Sequence, residues 1–449
     1  MNRTTGQPEA ETRGELRRVL NHWDAAALAV GIIIGSGIFA VPPSIARSLD
    51  TFGSMISVWV LGGVLALCGA LCYAELATMF PRSGGSFVFL HETYGPLVSF
   101  VYGWSALLIT YPASIAAIAM VFASYLARLV PMSSGAQVAA AAGLCLFAAV
   151  VNILGTRLGA GVQRTLTTGK VVALGLLPVM GVILARGDFG RLEGGMVPSA
   201  GWTLSGWALA MAAVMWTFEG WVEAPSIGGE MKNLKRDVPL GLIISTVAVT
   251  VVYVAVNASY VYLLGMQGVA TTDSVASDAA SVVFGSQGGF WIAVLVVVST
   301  AGSVNGSVIG GSRVFYAMAR EGLFLRSVAR VHPKLGTPVN SLALLGGVSA
   351  LYTLMGTFEQ VMRYFVFVAA LWFAMNIFGV ILLRQTRPHL ERPFRVPFYP
   401  VSPLLFLGVI LSMAYSLLID NRHDALMGLG LIALAVPVYL IWKRLHGTA

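Results

Sequence analysis

Twelve apolar segments, separated by short polar stretches, follow one another along the chain. Each has at least about 17 residues, which is near the shortest helix that crosses the hydrocarbon core of a bilayer. The pattern therefore predicts twelve transmembrane helices. We number them spans 1 to 12, near residues 25–47, 54–79, 97–129, 137–155, 163–185, 204–231, 240–264, 288–318, 340–356, 361–383, 401–419 and 425–442.

The composition agrees with this pattern and excludes a soluble protein. Of the 449 residues, 57% are hydrophobic and 11% are charged, and the mean hydropathy is +0.80. A soluble fold of this size cannot bury so much apolar surface. We therefore expect an all-α integral membrane protein without a soluble domain.

The basic residues predict the orientation. If the N-terminus lies in the cytoplasm, all but six of the 28 Lys and Arg residues fall in cytoplasmic segments or at cytoplasmic span ends. This excess follows the positive-inside rule, so both termini are expected in the cytoplasm. The net charge of +8 then reflects topology and attraction to anionic lipids at that face, and it does not indicate nucleic acid binding. The six exceptions are Arg47, Arg128, Arg186, Arg191, Arg363 and Arg422.

Span 1 contains a helix-weakening sequence, Gly35-Ser36-Gly37, near the middle of the membrane. Counted from Ala25, Gly35 lies about 15 Å into a core of about 30 Å. In hydrocarbon, an opened helix is tolerated only where protein or a water-filled cavity satisfies its backbone groups. The alternative is that Gly31 and Gly35 form a motif for close helix packing.

Span 6 is interrupted in a similar way, by Glu219 and Gly220 and then by Glu223 and Pro225. Counted from Leu204, Glu219 lies about 22 Å from the outer surface, so this break is also near the midplane. Each break falls in the first span of a set of five. Because five is odd, the second set must be inverted relative to the first. Two inverted repeats that each begin with an interrupted helix form a known transporter architecture.

This division predicts five segments along the chain. They are a cytoplasmic N-terminal tail at 1–24, a first five-helix repeat at 25–186, a second, inverted repeat at 204–384, helices 11 and 12 at 401–442, and a cytoplasmic C-terminal tail at 443–449.

Several motifs resemble those of the amino acid–polyamine–organocation superfamily. They are Gly31–Phe39, Pro81–Phe87, Gly229–Pro239 and Ser312–Phe324, while His332–Pro338 and Arg392–Pro400 most resemble its L-type amino acid transporter branch. The resemblance implies a leucine-transporter-type fold of twelve helices, a five-plus-five inverted repeat with helices 1 and 6 discontinuous. It also implies a free amino acid as substrate. Leu234 departs from the family pattern, which usually has proline there.

An α-amino acid presents a carboxylate and an ammonium, and both need partners outside water. We expect the N–H groups of Ser36, Gly37 and Ile38 to meet the carboxylate, because the positive end of a helix dipole lies there. Carbonyl groups at the ends of the two broken helices are expected to accept from the ammonium. The candidates around these breaks are Ile33, Ile34 and Gly35 in span 1, and Trp216, Thr217, Phe218, Glu219 and Gly220 in span 6.

Two of these side chains have further expected roles. A carboxylate at the midplane, such as Glu219, is costly and generally functional. Glu219 either recognises a cationic side chain, exchanges a proton, or bonds freed backbone N–H groups, and all three stay open. The resemblance implies that Trp216 closes over the substrate from the outside, and the alternative is an ordinary packed tryptophan.

Lys170 lies in span 5, about two turns from the cytoplasmic end. From the residues alone, it either extends to the interface or lies within the protein. Sodium-independent members of the superfamily often have a lysine here in place of a bound sodium ion. The resemblance therefore implies that Lys170 ties span 5 to the break in span 1 and to Ser299 and Ser303 in span 8.

Four more polar residues are candidates for the region around the substrate side chain. They are Thr110 and Ser114 in span 3, and Asn305 and Ser307 in span 8. The alternative is that such side chains bond their own helix backbone. So few polar groups favour a neutral amino acid. No metal, cofactor or nucleic acid is expected.

The expected function is secondary active transport of neutral L-amino acids by alternating access, without sodium, by exchange or proton coupling. The membrane is the plasma membrane or the bacterial inner membrane. An enzyme is disfavoured because all six histidines lie at or beyond span ends. Two alternatives remain, an amino-acid-sensing receptor on the same fold and a cationic amino acid or polyamine transporter that uses Glu219. Membrane lipids are expected partners, and the need for an accessory subunit stays open.

Overall fold

The computed structural model describes residues 16, 18–193, 204–272, 274–354, 358–420 and 422–446. Within these residues all regular secondary structure is helical, apart from one isolated bridge between the backbones of Leu20 and Met231. Most of the predicted N-terminal tail and the last three residues of the C-terminal tail lie outside the described residues.

Each predicted span corresponds to a described helix or run of helices. The first five are span 1, His22–Ile33, Gly37–Ala40 and Pro42–Ser48; span 2, Phe52–Met79; span 3, Pro96–Ser105, Ala106–Thr110 and Tyr111–Leu129; span 4, Ser134–Ile153; and span 5, Thr156–Ile183. The other seven are span 6, Leu204–Thr217 and Trp221–Glu230; span 7, Leu234–Thr271; span 8, Gly288–Arg320; span 9, Val339–Tyr352; span 10, Phe358–Thr386; span 11, Val401–Asp420; and span 12, Arg422–His446. The short connecting helices are Ser86–Tyr94, Phe189–Leu192, Val275–Phe284, Gly285–Gln287 and Arg326–Ala329.

Length and composition fit a membrane protein. In the part of the chain that the structure describes, nine helical runs are long and apolar enough to cross a bilayer. Spans 9 and 11 contain shorter apolar helices, and span 6 is divided by its break.

The helix of span 1 is open at the predicted place. It ends at Ile33, and Ile34 leaves the helical region with φ −74° and ψ 72°. Gly35 and Ser36 are not helical, and a new helix begins at Gly37. The break is therefore three residues long, Ile34 to Ser36, and overlaps the Gly-Ser-Gly sequence.

Span 6 opens after Thr217. Gly220 adopts φ +136°, a backbone conformation that side chains with a Cβ rarely adopt. The chain then continues as a 3-10 helix, Trp221–Glu230, which contains Pro225. Proline disfavours an α-helix here, because it lacks an N–H group and its ring clashes with the carbonyl group four residues earlier.

The two breaks pack directly against each other. A Cβ atom at Gly220 would lie 2.7 Å from the Ile33 nitrogen, and one at Gly37 would lie 2.7 Å from Cγ2 of Thr217. Only glycine permits these approaches. The sequence pattern in each span therefore serves both the opening of its helix and the contact between the two openings.

Buried ion pairs join the spans at the end of the molecule where span 1 begins. The Arg313 guanidinium of span 8 donates to both carboxylate oxygens of Glu230, with Nε to Oε1 at 2.7 Å, and both side chains are buried. Glu75 of span 2 accepts in the same two-pronged way from Arg384 of span 10. Burial makes each partner dependent on the other, because an unpaired charge is costly there.

Candidate functional site

A cavity lies between the two breaks and is bounded by spans 1, 3, 6, 8 and 10. Most of the predicted substrate residues line it. Those that do are Ile33, Gly35, Ser36, Gly37, Thr110, Ser114, Trp216, Thr217, Glu219, Gly220 and Ser307. The sequence-based selection therefore converges on one place, although its members come from four separate spans.

Backbone N–H groups are available on the span 1 side of this cavity. Among the described residues, no backbone carbonyl accepts from the N–H groups of Ser36, Gly37 or Ile38. All three residues are buried. Buried N–H groups are nearly always paired, so these three are donors available to a group that accepts hydrogen bonds.

The carbonyl groups of Ile33 and Ile34 are already in use, which differs from the expectation for the ammonium. The Tyr253 hydroxyl donates to the Ile33 carbonyl at 2.6 Å, and Lys170 and Ser299 donate to the Ile34 carbonyl at 2.7 and 2.9 Å. A carbonyl oxygen has two lone pairs. Ile34 is therefore saturated, and its side chain does not line the cavity. The reason is the approach of spans 5, 7 and 8, which local sequence does not reveal.

Span 6 offers acceptors that remain available. In the described part of the chain, no hydrogen-bond donor reaches the carbonyl groups of Phe218 and Glu219. Glu219 also lines the cavity, together with a second acid, Glu223. The span 6 side of the cavity therefore presents hydrogen-bond acceptors that no described donor occupies.

Besides Ile34, three further predicted residues have side chains that lie outside the cavity lining. Phe218 packs edge-on against Tyr253, and Ile38 is fully buried outside the cavity lining. Asn305 bonds Asn152 and Gln163, at 2.9 Å each, on the far side of span 8. Residues two apart on a helix point about 200° apart, so Asn305 and Ser307 cannot both face one cavity.

Lys170 is fully buried and forms a compact cluster with spans 1 and 8. Its ammonium nitrogen lies 2.7 Å from each of the carbonyl oxygens of Gly31, Ile34 and Ser299, and 3.3 Å from the Ser303 hydroxyl. The Ser303 hydroxyl in turn donates to the Gly31 carbonyl at 2.8 Å. The amine thus lies among oxygen acceptors at the end of the first helix of span 1.

Several cavity residues were not predicted. Tyr111 donates from its hydroxyl to Oε2 of Glu223 at 3.2 Å, and this acid lines the cavity with 6% of its surface exposed. Tyr102, Trp372 and Phe373 add aromatic walls. The five residues Ala106–Thr110 form a π-helix in span 3, a distortion often found at functional sites. The Tyr-Pro pair that follows was the available sequence signal.

Comparison with known proteins agrees with this geometry. The amino acid permease family matches residues 20–437. The human b(0,+)-type amino acid transporter 1 is 32% identical over 89% of this chain and 82% of its own length. The serine/threonine exchanger SteT of Bacillus subtilis (strain 168) is 31% identical over 94% of this chain and 95% of its own. The human Asc-type amino acid transporter 1 is 32% identical over 97% and 84%.

The matched region begins at the backbone bridge before span 1 and ends within span 12, so it contains both breaks, the cavity and the Lys170 cluster. The family match and the transporters among the similar proteins show that this protein is a membrane transporter rather than an enzyme. The chain belongs to the amino acid permease family.

Proposed function

We propose that the chain is a secondary active transporter that holds one α-amino acid between the two breaks and moves it by alternating access. The observation that carries this proposal is the set of three buried N–H groups at Ser36, Gly37 and Ile38 without backbone acceptors. They supply the donors that an α-carboxylate requires at the positive end of a helix dipole.

The ammonium is bound on the opposite wall. The free carbonyl groups of Phe218 and Glu219 accept from it, and the Glu219 carboxylate lies beside them. The remaining space is lined by Thr110, Ser114 and Ser307 together with apolar surface. Small hydroxyl groups of this kind suit a small neutral side chain, and a relative named as a serine/threonine exchanger supports that choice.

The Lys170 cluster supports sodium independence. A sodium ion needs several oxygen ligands, and the oxygens of Gly31, Ile34, Ser299 and Ser303 that surround this point all contact the Lys170 ammonium. The amine fills the place of a bound cation and links the end of the first helix of span 1 to spans 5 and 8.

Counterflow into proteoliposomes tests both proposals. Vesicles loaded with unlabelled serine should accumulate labelled serine, to the same extent with external sodium and with external choline. Labelled substrate that binds but never accumulates would favour an amino-acid sensor. Stimulation by sodium would contradict the role of Lys170, whatever the substrate.

Substitution of the lysine separates transport from folding. Lys170→Ala removes the donor to three carbonyl groups, so we expect counterflow to fall at least about tenfold, equivalent to about 1.4 kcal/mol. Lys334→Ala, at an exposed position between spans 8 and 9, is the matched control and should transport normally. Unchanged counterflow in the Lys170 variant would remove the lysine from the mechanism.

A cationic substrate is the second candidate, because Glu219 faces the cavity with no basic partner among the described residues. Glu219→Gln removes the charge and preserves the shape. If the carboxylate recognises a cationic side chain, inhibition of serine counterflow by arginine and lysine should disappear in this variant while inhibition by alanine persists. Equal loss for all three amino acids would assign Glu219 to the shared ammonium instead.

We also propose that the protein lies in the plasma membrane or the bacterial inner membrane with both termini cytoplasmic. The five-segment division, with repeats at 25–186 and 204–384, belongs to the same proposal. The support is the distribution of basic residues and the position of each break in the first span of its set.

A further inference from the structure

A second cavity lies on the face of span 5 that points away from the substrate site, at the end of the molecule where span 1 begins. We call it the basic crevice. Its volume is about 750 Å³, within the range of ligand pockets, about 300–1,000 Å³. Its polar and charged lining residues include Asp24, Arg157, Arg164, Thr165, Thr168 and Lys232.

Positive charge in the basic crevice exceeds negative charge. Three cationic side chains, Arg157, Arg164 and Lys232, face one carboxylate, Asp24. The Asp24 carboxylate already pairs with Arg164 and also accepts from the Asn21 N–H at 2.9 Å. No acid among the described residues pairs with Arg157 or Lys232. The crevice therefore has two cations available for an anion.

Two hydroxyl groups stand beside these cations. Thr165 and Thr168 are exposed on the same face of span 5, and neither forms a side-chain hydrogen bond within the described residues. Hydroxyl donors next to Arg and Lys are typical partners of phosphate oxygens. The chemistry therefore fits a phosphate group.

The exposed surface of span 5 distinguishes a lipid phosphate from a free phosphate ion. Thr165 and Thr168 continue at helical spacing into Val172, Leu176 and Val179, which are 49–58% exposed. An added Cβ at Gly161, Gly169 or Gly175 would contact nothing within 4 Å, so this face is open. A polar pocket that runs into an exposed apolar stripe matches a lipid, with its headgroup in the pocket and an acyl chain along the stripe.

We propose that the basic crevice binds the phosphate group of an anionic lipid whose acyl chain lies along the exposed stripe of span 5. Basic pockets at helix ends are suited to such headgroups. The site is distinct from the substrate cavity, since the two share no lining residue. Its walls come from the start of span 1, from span 5 and from the segment before span 7, so the lipid holds these three elements together.

Thermal unfolding of the purified full-length chain in mixed micelles tests the proposal. Phosphatidylglycerol should raise the unfolding midpoint more than phosphatidylcholine at the same mole fraction. In Arg157→Gln/Lys232→Gln, the half-saturating mole fraction should increase about 25-fold, from a loss of about fivefold per cation. Arg326→Gln/Arg330→Gln changes the net charge equally at exposed positions elsewhere and should behave as the unmodified chain.

Two results would overturn the proposal. One is an equal loss of the phosphatidylglycerol effect in both double variants, which would show that the effect comes from the general surface charge. The other is saturation of the effect by soluble glycerol phosphate at the same phosphate concentration, which would assign the crevice to a free phosphate. If the crevice variant does not fold, native mass spectrometry provides a second test. The unmodified chain is released from micelles that contain equal amounts of the two lipids, and the lipid that stays bound is identified. Retained phosphatidylglycerol in excess supports the site, and equal retention contradicts it.

Discussion

Gly220 shows how much one residue determines at the centre of this protein. Its φ of +136° lies in a region that residues with a Cβ rarely adopt, and the neighbour in the way is the backbone of Ile33. A side chain can move aside, whereas a backbone nitrogen in the facing helix end cannot move without shifting the helix. We therefore treat Gly220 as the strictest requirement of the site.

Gly220→Ala should abolish transport while leaving membrane insertion intact. The backbone conformation alone costs about 1–2 kcal/mol, and the contact at 2.7 Å adds to it by separating spans 1 and 6. Counterflow in proteoliposomes should fall at least about tenfold. Gly347→Ala is the matched control, since an added Cβ there meets nothing within 4 Å. Normal counterflow by the Gly220 variant would show that the two breaks need not touch.

At the residue scale, sequence predicts donors better than acceptors. The sequence Gly35-Ser36-Gly37 predicts an opened helix, because the low helix propensity of these residues acts on their own backbone. The state of the Ile33 and Ile34 carbonyl groups depends on Tyr253, Lys170 and Ser299, which come from three distant spans. Asn305 lies outside the cavity lining for a different reason, because helical geometry separates its direction from that of Ser307.

At the scale of elements, the 3-10 half of span 6 is anchored at its end. The Glu230 carboxylate pairs with Arg313 of span 8, and its carbonyl accepts from the N–H groups of Val19 and Leu20 at 2.9 and 3.0 Å. One residue thus joins span 6, span 8 and the segment before span 1. Such a junction ties the three elements together at this end of the molecule.

Removing one partner of the Glu230–Arg313 pair should destabilise the protein more than removing both partners. Arg313→Met leaves the Glu230 carboxylate buried and unpaired, which costs about 3–5 kcal/mol. Glu230→Met/Arg313→Met removes both charges and should recover most of that loss. Thermal unfolding in detergent measures the difference.

Lys235→Met is the comparison for that experiment, because the pair of Lys235 with Glu391 is exposed at 58% and 78%. Its loss should cost less than about 1 kcal/mol. If the double variant at 230 and 313 is as unstable as the single one, the charges themselves are required, and the cost does not come from an unpaired acid.

Element boundaries were predictable to within a few residues because the hydrophobic spans are long and the breaks contain glycine. The 3-10 character of Trp221–Glu230 and the π-helix at Ala106–Thr110 were not. Both are small changes in hydrogen-bond register, and packing against neighbouring spans decides them.

For the whole molecule, the prediction of a twelve-span, all-α permease is confirmed by the helices and by the family match over residues 20–437. Hydropathy suffices for this because the bilayer permits few spanning structures. The basic crevice was not predicted, since its charges belong to separate segments that only the fold brings together.

The orientation of the whole molecule in the membrane is also a prediction. In a background with Cys68, Cys72 and Cys145 replaced by alanine, Arg186→Cys should react with a membrane-impermeant maleimide in intact cells. Lys334→Cys should react only after lysis. Both positions are exposed, so accessibility of the side chain itself is matched. The opposite labelling pattern would invert the proposed topology.

The covalent attachment of the Lys170 amine has a consequence for the energetics of transport. A dissociable ion occupies its site according to its concentration, so each cycle carries the free energy of that ion's gradient. A tethered cation has the same occupancy on both sides of the membrane and carries none. Under the proposed function, a substrate therefore becomes concentrated only when another solute moves down its own gradient. For a strict one-for-one exchanger of two neutral amino acids, the inside-to-outside ratios of both become equal at equilibrium, independent of the membrane voltage.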